Sequence, residues 1–135
     1  MLLLTILVNL GLNSNMMLTS LKDAQVISTK SIIKKNSAII LFKPNCMSCR
    51  IQIKNLDCLK DKFDITLLGA FGTEGSLRKE YLKYYSKFKA FYANSNALEG
   101  LGIRGQATPK TIIIKEKKQF KFIGTKTCKS LLNSV

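Results

Sequence analysis

The stretch that most constrains this chain lies between Ser37 and Leu59, where SAIILF runs into KPNCMSC and then into RIQIKNLDCL. Ala38-Ile39-Ile40-Leu41-Phe42 is an uninterrupted apolar run rich in β-branched residues, the pattern of a buried strand. Lys43-Pro44-Asn45 breaks it. Beyond the break, Cys49, Ile53, Leu56, Leu59 and Phe63 fall near one side of a helical period, which predicts a helix. Cys46 and Cys49 therefore stand where a strand hands over to a helix, with Cys46 at or beside the helix N-terminus. Unpaired N–H groups and the positive end of the helix dipole stabilise a thiolate there, and the thiolate is the reactive form. This placement makes Cys46 the candidate catalytic nucleophile and Cys49, one turn further on, the candidate resolving thiol.

A Cys-x-x-Cys pair is also half of a zinc site. Tetrahedral zinc needs four ligands, and the chain has no histidine and no second such pair. Its other two cysteines, Cys58 and Cys128, are not spaced like zinc ligands. The pair reads as redox chemistry, with no metal and no cofactor assigned; a zinc site and an inert pair are the alternatives.

A chain of 135 residues with 46% hydrophobic content is long and apolar enough for one domain with a sizeable core. Lys and Arg number 22 against 8 acidic residues, a formal charge of +14. The lysines are scattered, densest at Lys34-Lys35 and from Lys115 to Lys121. They lack the aromatic interleaving of a nucleic-acid interface, so no nucleic-acid partner is assigned. The charge reads as a solvated surface, with acidic proteins or peripheral contact with an anionic membrane face left open.

Met1 to Leu12 has the apolar character of a secretory-signal core. The first lysine is Lys22, no A-x-A site follows, and the run is short for a bilayer span. Residues 1–18 are expected to be a truncated export signal, or else an ordinary apolar segment, and 19–135 the domain. Four cysteines including a Cys-x-x-Cys suit an oxidising compartment, so a periplasmic or otherwise exported location is expected, with membrane association through the N-terminal segment as an option.

In chain order, Val26-Ile27-Ser28 reads as a short strand and Thr29 to Lys35 as a brief helical or turn segment. Asp64 to Phe71 reads as a second buried strand, broken by Gly72-Thr73-Glu74-Gly75. Ser76 is a candidate N-cap for a basic amphipathic helix from Leu77 to Tyr85. A short strand at Phe88 to Tyr92, a turn at Asn94-Ser95-Asn96 and a short helix at Ala97 to Leu101 follow. Pro109 directly precedes an Ile-rich strand that it can only start or edge. A lysine-rich hairpin from Lys115 to Gln119, a strand at Phe120 to Ile123 and a helix at Thr125 to Leu132 close the chain. Alternating strands and helices give an α/β fold with a central mixed β-sheet.

Three stretches together resemble the thioredoxin superfamily and, within it, the TlpA-like thiol–disulfide reductases. These are the Cys-x-x-Cys after SAIILF, the Gly102-Ile103-Arg104-Gly105 loop leading to Thr108-Pro109, and the long connection ITLLGAFGTEGSLRKEYLKYY…FKAFYANSNALEGLGIRG between them. The leading TSLKDAQVISTKSIIKKNSAIILF resembles that subfamily's N-terminal hairpin, so the likeness spans about Thr19 to Thr125. It implies a thioredoxin-like fold, helices flanking a mixed sheet, and a thiol–disulfide oxidoreductase that reduces protein disulfides. The implied partners are protein disulfide substrates and an upstream thiol electron donor, and a monomer is expected. A redox-inactive binding module on the same fold is the alternative.

The resemblance also implies that Pro109 is a cis-proline facing the disulfide and that Thr108 offers backbone hydrogen bonds to a bound substrate strand. The sequence departs from the family at Asn45, where Trp is usual, and at Met47-Ser48, which replaces a proline-containing dipeptide. Gln52 stands where many TlpA-like members carry an acid, and Ile40 where thioredoxin has a buried Asp. With no histidine and no obvious buried acid, the proton acceptor for Cys49 is unidentified. In a thioredoxin-like arrangement the Cys-x-x-Cys helix and the C-terminal helix share one face of the sheet, bringing Cys128 within reach of Cys58. Cys58 falls about 140° round the helix from Ile53, off the stripe facing the sheet. Cys58–Cys128 is therefore a candidate structural disulfide, with two unrelated free thiols as the alternative.

Overall fold

From Ser37 onward every residue of strand β3 (Asn36–Phe42) is buried, because this strand runs through the middle of the sheet and is covered on both faces. Successive side chains point to opposite sides. Ala38, Ile40 and Phe42 join one apolar cluster, and Ile39 and Leu41 join the other. The computed structural model describes residues 16–135.

Seven strands form one mixed sheet in the order β2-β1-β5-β4-β3-β6-β7. The other strands are β1 (Met17–Ser20), β2 (Val26–Ser28), β4 (Asp64–Gly69), β5 (Ala90–Tyr92), β6 (Lys110–Lys115) and β7 (Lys118–Ile123). β3, β4 and β5 run parallel, whereas β6 lies antiparallel to β3 with Ile39 opposite Ile112. The leading segment forms the antiparallel pair β1–β2, and β1 docks on β5.

Helix α1 (Met47–Lys54), helix α2 (Glu74–Glu80) with the π-helical turn Tyr81–Tyr85 that continues it, and helix α4 (Cys128–Asn133) contribute to the cluster on one face, through Cys49, Ile53, Leu77, Tyr81 and Leu131. Helix α3 (Ser95–Gly100) and the 3₁₀ turn Thr29–Ile32 contribute to the other, through Ala97, Leu98 and Ile32.

The α/β class and central mixed sheet match the sequence reading, while several boundaries move. α1 ends at Lys54, and Leu56, Leu59 and Phe63 reach the core from the turns that follow. α2 starts earlier than Ser76, because Thr73 is the N-cap and its hydroxyl accepts the Ser76 N–H at 3.1 Å. Asn94 does not lie in a free turn: it caps α3, its side chain accepting the Ala97 N–H at 2.9 Å. The β6–β7 turn is tighter than expected, with Glu116 and Lys117 both at positive φ (49° and 71°), as a two-residue hairpin turn demands.

Of the segment 1–18 expected as an export signal, residues 1–15 lie outside the described residues; Met17 and Leu18 belong to β1. Among the described residues no helix is long and apolar enough to cross a membrane.

Candidate active site

β3 delivers the chain to the site, and Asn45 turns it. Asn45 has φ +58°, a left-handed conformation that asparagine tolerates better than most residues. Gly72 lets the neighbouring loop close on this turn: a Cβ there would meet Pro44 Cγ at 2.7 Å. Cys46 is the N-cap of α1, with extended dihedrals of −102° and 99°. Its sulfur accepts the Cys49 N–H at 3.2 Å, and its carbonyl takes the Arg50 N–H at 3.1 Å. A helix-terminal N–H is thus aimed at Sγ, the geometry that favours negative charge on sulfur.

Cys46 and Cys49 are joined as a disulfide, their Cα atoms 5.2 Å apart. Cys49 is fully buried, and Cys46, the outer sulfur, is 5% exposed. A strand-to-helix turn predicts a solvent-accessible Cys46 and a shielded Cys49; the structure shields both, and two hydroxyls cover the Cys46 sulfur, Ser48 Oγ at 3.5 Å and Thr108 Oγ1 at 3.6 Å.

Thr108 arrives from a loop 62 residues away in sequence. The Thr108–Pro109 peptide bond is cis, and β6 begins directly after it. Two lysines hold this loop: Lys110 donates to the Arg104 carbonyl, and Lys121 donates to the Gly102 carbonyl at 3.1 Å. Lys110 is itself buried, and burial together with the charge of Lys121 lowers its pKa below the ordinary lysine value. The structure therefore brings Cys46, Cys49 and Thr108 together.

Cys58 and Cys128 form a second disulfide between the turn after α1 and the first residue of α4, with Cα atoms 5.9 Å apart. The four cysteines thus fall into two pairs. Gln52 is fully buried on α1 and bonds both ways to the Lys126 backbone: its amide N–H donates to the carbonyl at 3.0 Å and its oxygen accepts the N–H at 2.6 Å. This side chain pins the Cys-x-x-Cys helix to the segment leading into α4.

A buried acid does exist, and the sequence reading missed it. Glu80, 6% exposed, ends α2 and faces the active-site turn. It receives Arg50 Nε at 2.7 Å and Arg50 Nη2 at 3.0 Å, and it accepts the Asn45 N–H at 3.2 Å. Burial raises its pKa, but the hydrogen bonds from Arg50 and Asn45, with the charges of Arg50 and Lys83, outweigh that and hold the carboxyl below its ordinary value. The Arg50 guanidinium also lies 4.0 Å from the centre of the Tyr84 ring. A signal for Glu80 was present in LRKEYLKYY, since it stands three residues after Leu77 and one before Tyr81, on the inward stripe of that helix.

No protein-family model matches the sequence, and no curated protein matches it. Solved structures do. A secreted Mycobacterium tuberculosis disulfide oxidoreductase homologous to Escherichia coli DsbE superposes with a TM-score of 0.69 at 12% identity, over 88% of this chain and 92% of that one. The thioredoxin domain of a Bacteroides vulgatus thiol-disulfide oxidoreductase gives 0.62 at 20% identity, over 88% and 89%. The exposed lipoprotein thioredoxin of Streptococcus pneumoniae gives 0.68 at 16% identity, over 90% and 97%. The chain has a thioredoxin-like fold.

Proposed function

We propose that this chain is a thiol–disulfide oxidoreductase that reduces protein disulfides, with Cys46 as nucleophile, Cys49 as resolving thiol, and Thr108 and Pro109 receiving the substrate strand. The observation that carries this reading is Cys46 Sγ at the helix N-cap, accepting the Cys49 N–H with its partner sulfur one turn away. The same fold in proteins described as disulfide oxidoreductases supports it.

In the reaction, the Cys46 thiolate attacks one sulfur of a substrate disulfide. A Cys46–substrate bond forms, the substrate S–S bond breaks, and the released thiolate takes up a proton. Deprotonated Cys49 then attacks Cys46 Sγ, forming the Cys46–Cys49 disulfide and releasing the second substrate thiol. Two electrons pass from the dithiol to the substrate, and an upstream dithiol donor restores the reduced pair. The Cys49 N–H stabilises the attacking thiolate, and the Thr108 hydroxyl lies beside the sulfur being attacked.

We assign Cys58–Cys128 a structural role, tying α4 to the turn after α1. Two disulfides and an apolar N-terminal segment support an exported, oxidising location, in keeping with neighbours described as secreted or exposed.

The test is turnover of insulin disulfides with dithiothreitol as electron donor. The wild-type chain accelerates insulin reduction over dithiothreitol alone, and Cys46→Ser abolishes the acceleration. A redox-inactive binding module gives no acceleration with either protein.

A further inference from the structure

A cleft of about 420 Å³ opens beside the active-site turn, between Asn45, Arg50 on α1, and the outer side of α2 with its π-helical turn. Three cations line it, Arg50, Lys79 and Lys83, against one anion, Glu80. The Glu80 carboxylate is already matched by the two-point Arg50 contact, and its side chain is only 5% exposed. That leaves Lys79 and Lys83, both exposed and neither in a salt bridge among the described residues. Both line the same cleft, where two like charges repel. Tyr84, 41% exposed, adds an aromatic surface 5.3 Å from the Lys83 ammonium.

The cleft reaches Asn45, the residue next to the nucleophile, so it adjoins the active-site turn. An anion seated between Lys79 and Lys83 relieves their repulsion. The formal charge of +14 steers acidic polypeptides toward the surface at long range.

We propose that this cleft is a substrate subsite for acidic side chains flanking the disulfide of a polypeptide substrate. The inference rests on the oxidoreductase reading above and adds its substrate class: acidic protein segments around the target cysteines.

The test uses two synthetic peptides, each closed by one disulfide and differing only in Glu or Gln at the positions next to the cysteines. Their kcat/KM values for reduction by the full chain are compared as a ratio within each protein, so a general change in activity cancels. Two exposed ion pairs give the wild type a preference for the Glu peptide of about 3- to 10-fold at low salt. Salt of about 0.5 M erases it, because the screening length then shrinks to a few ångströms. In Lys79→Gln/Lys83→Gln the ratio falls toward one, leaving only what the rest of the positive surface steers. Equal turnover of both peptides by the wild type, or a preference undiminished in the double variant, overturns the subsite while leaving the oxidoreductase reading intact. Failure to reduce either peptide overturns the oxidoreductase reading, and the subsite falls with it.

Discussion

Glu80 holds Arg50 through two hydrogen bonds, at 2.7 Å and 3.0 Å, and the same carboxylate takes the Asn45 N–H at 3.2 Å. One buried acid thus ties the π-extended helix to both sides of Cys46: the turn that precedes it and the helix that follows.

Glu80→Gln keeps the shape of the side chain but removes the charge behind these bonds. It lowers stability at neutral pH by about 1.5–3 kcal/mol, the range for a hydrogen bond to a charged group. The pH dependence has a definite sign. The folded-state pKa lies below the ordinary 4.5, so the contribution is present above that value and is lost as pH falls through the folded value. Urea midpoints of the two proteins, measured from neutral pH downward, separate most at neutral pH and converge in acid.

Gln52→Glu probes the other polar contact on the Cys-x-x-Cys helix. A protonated carboxyl can donate to the Lys126 carbonyl and accept its N–H, as the amide does. An ionised carboxylate cannot donate, and it is buried besides, so its folded pKa is raised. The folded state then binds more protons than the unfolded state, and stability falls as pH rises above the unfolded value of about 4.3. Thermal melts show Gln52→Glu close to wild type at acid pH and well below it at neutral pH. Equal melting temperatures at both would remove the role given to Gln52.

Much of this arrangement is legible in the sequence where the signal is local. The run from Ala38 to Phe42 announces a strand buried on both faces, and the break at Lys43-Pro44-Asn45 places Cys46 at a helix start. The start of α2 was hidden because Gly75 reads as a breaker, although Thr73 caps a helix that runs through it. Glu80 was hidden for a different reason. Its partners Arg50 and Asn45 lie 30 and 35 residues away in sequence, so its place on the inward stripe of the helix does not reveal what it meets there. Neither the covering of Cys46 by Thr108 nor the cleft under Lys79 and Lys83 has a local pattern; both depend on loops that meet only in the folded chain.

The Cys58–Cys128 bridge closes a 70-residue separation. In the chain-entropy account such a cross-link stabilises by about 4 kcal/mol through its effect on the unfolded state. Cys58→Ser/Cys128→Ser therefore loses several kcal/mol in urea unfolding while retaining insulin-reducing activity. A double variant as stable as wild type would show that the bridge carries no structural load.

The most direct measurement of the central claim is capture of the covalent intermediate. Cys49→Ser removes the thiol that releases substrate from Cys46, so the reduced variant, mixed with a disulfide-closed peptide and quenched in acid, should accumulate a mixed disulfide. Peptide mapping by mass spectrometry locates it. The account predicts one substrate adduct, on Cys46, with Cys46→Ser giving none. An adduct on Cys58 or Cys128 instead, or normal turnover by Cys49→Ser with nothing trapped, would contradict it.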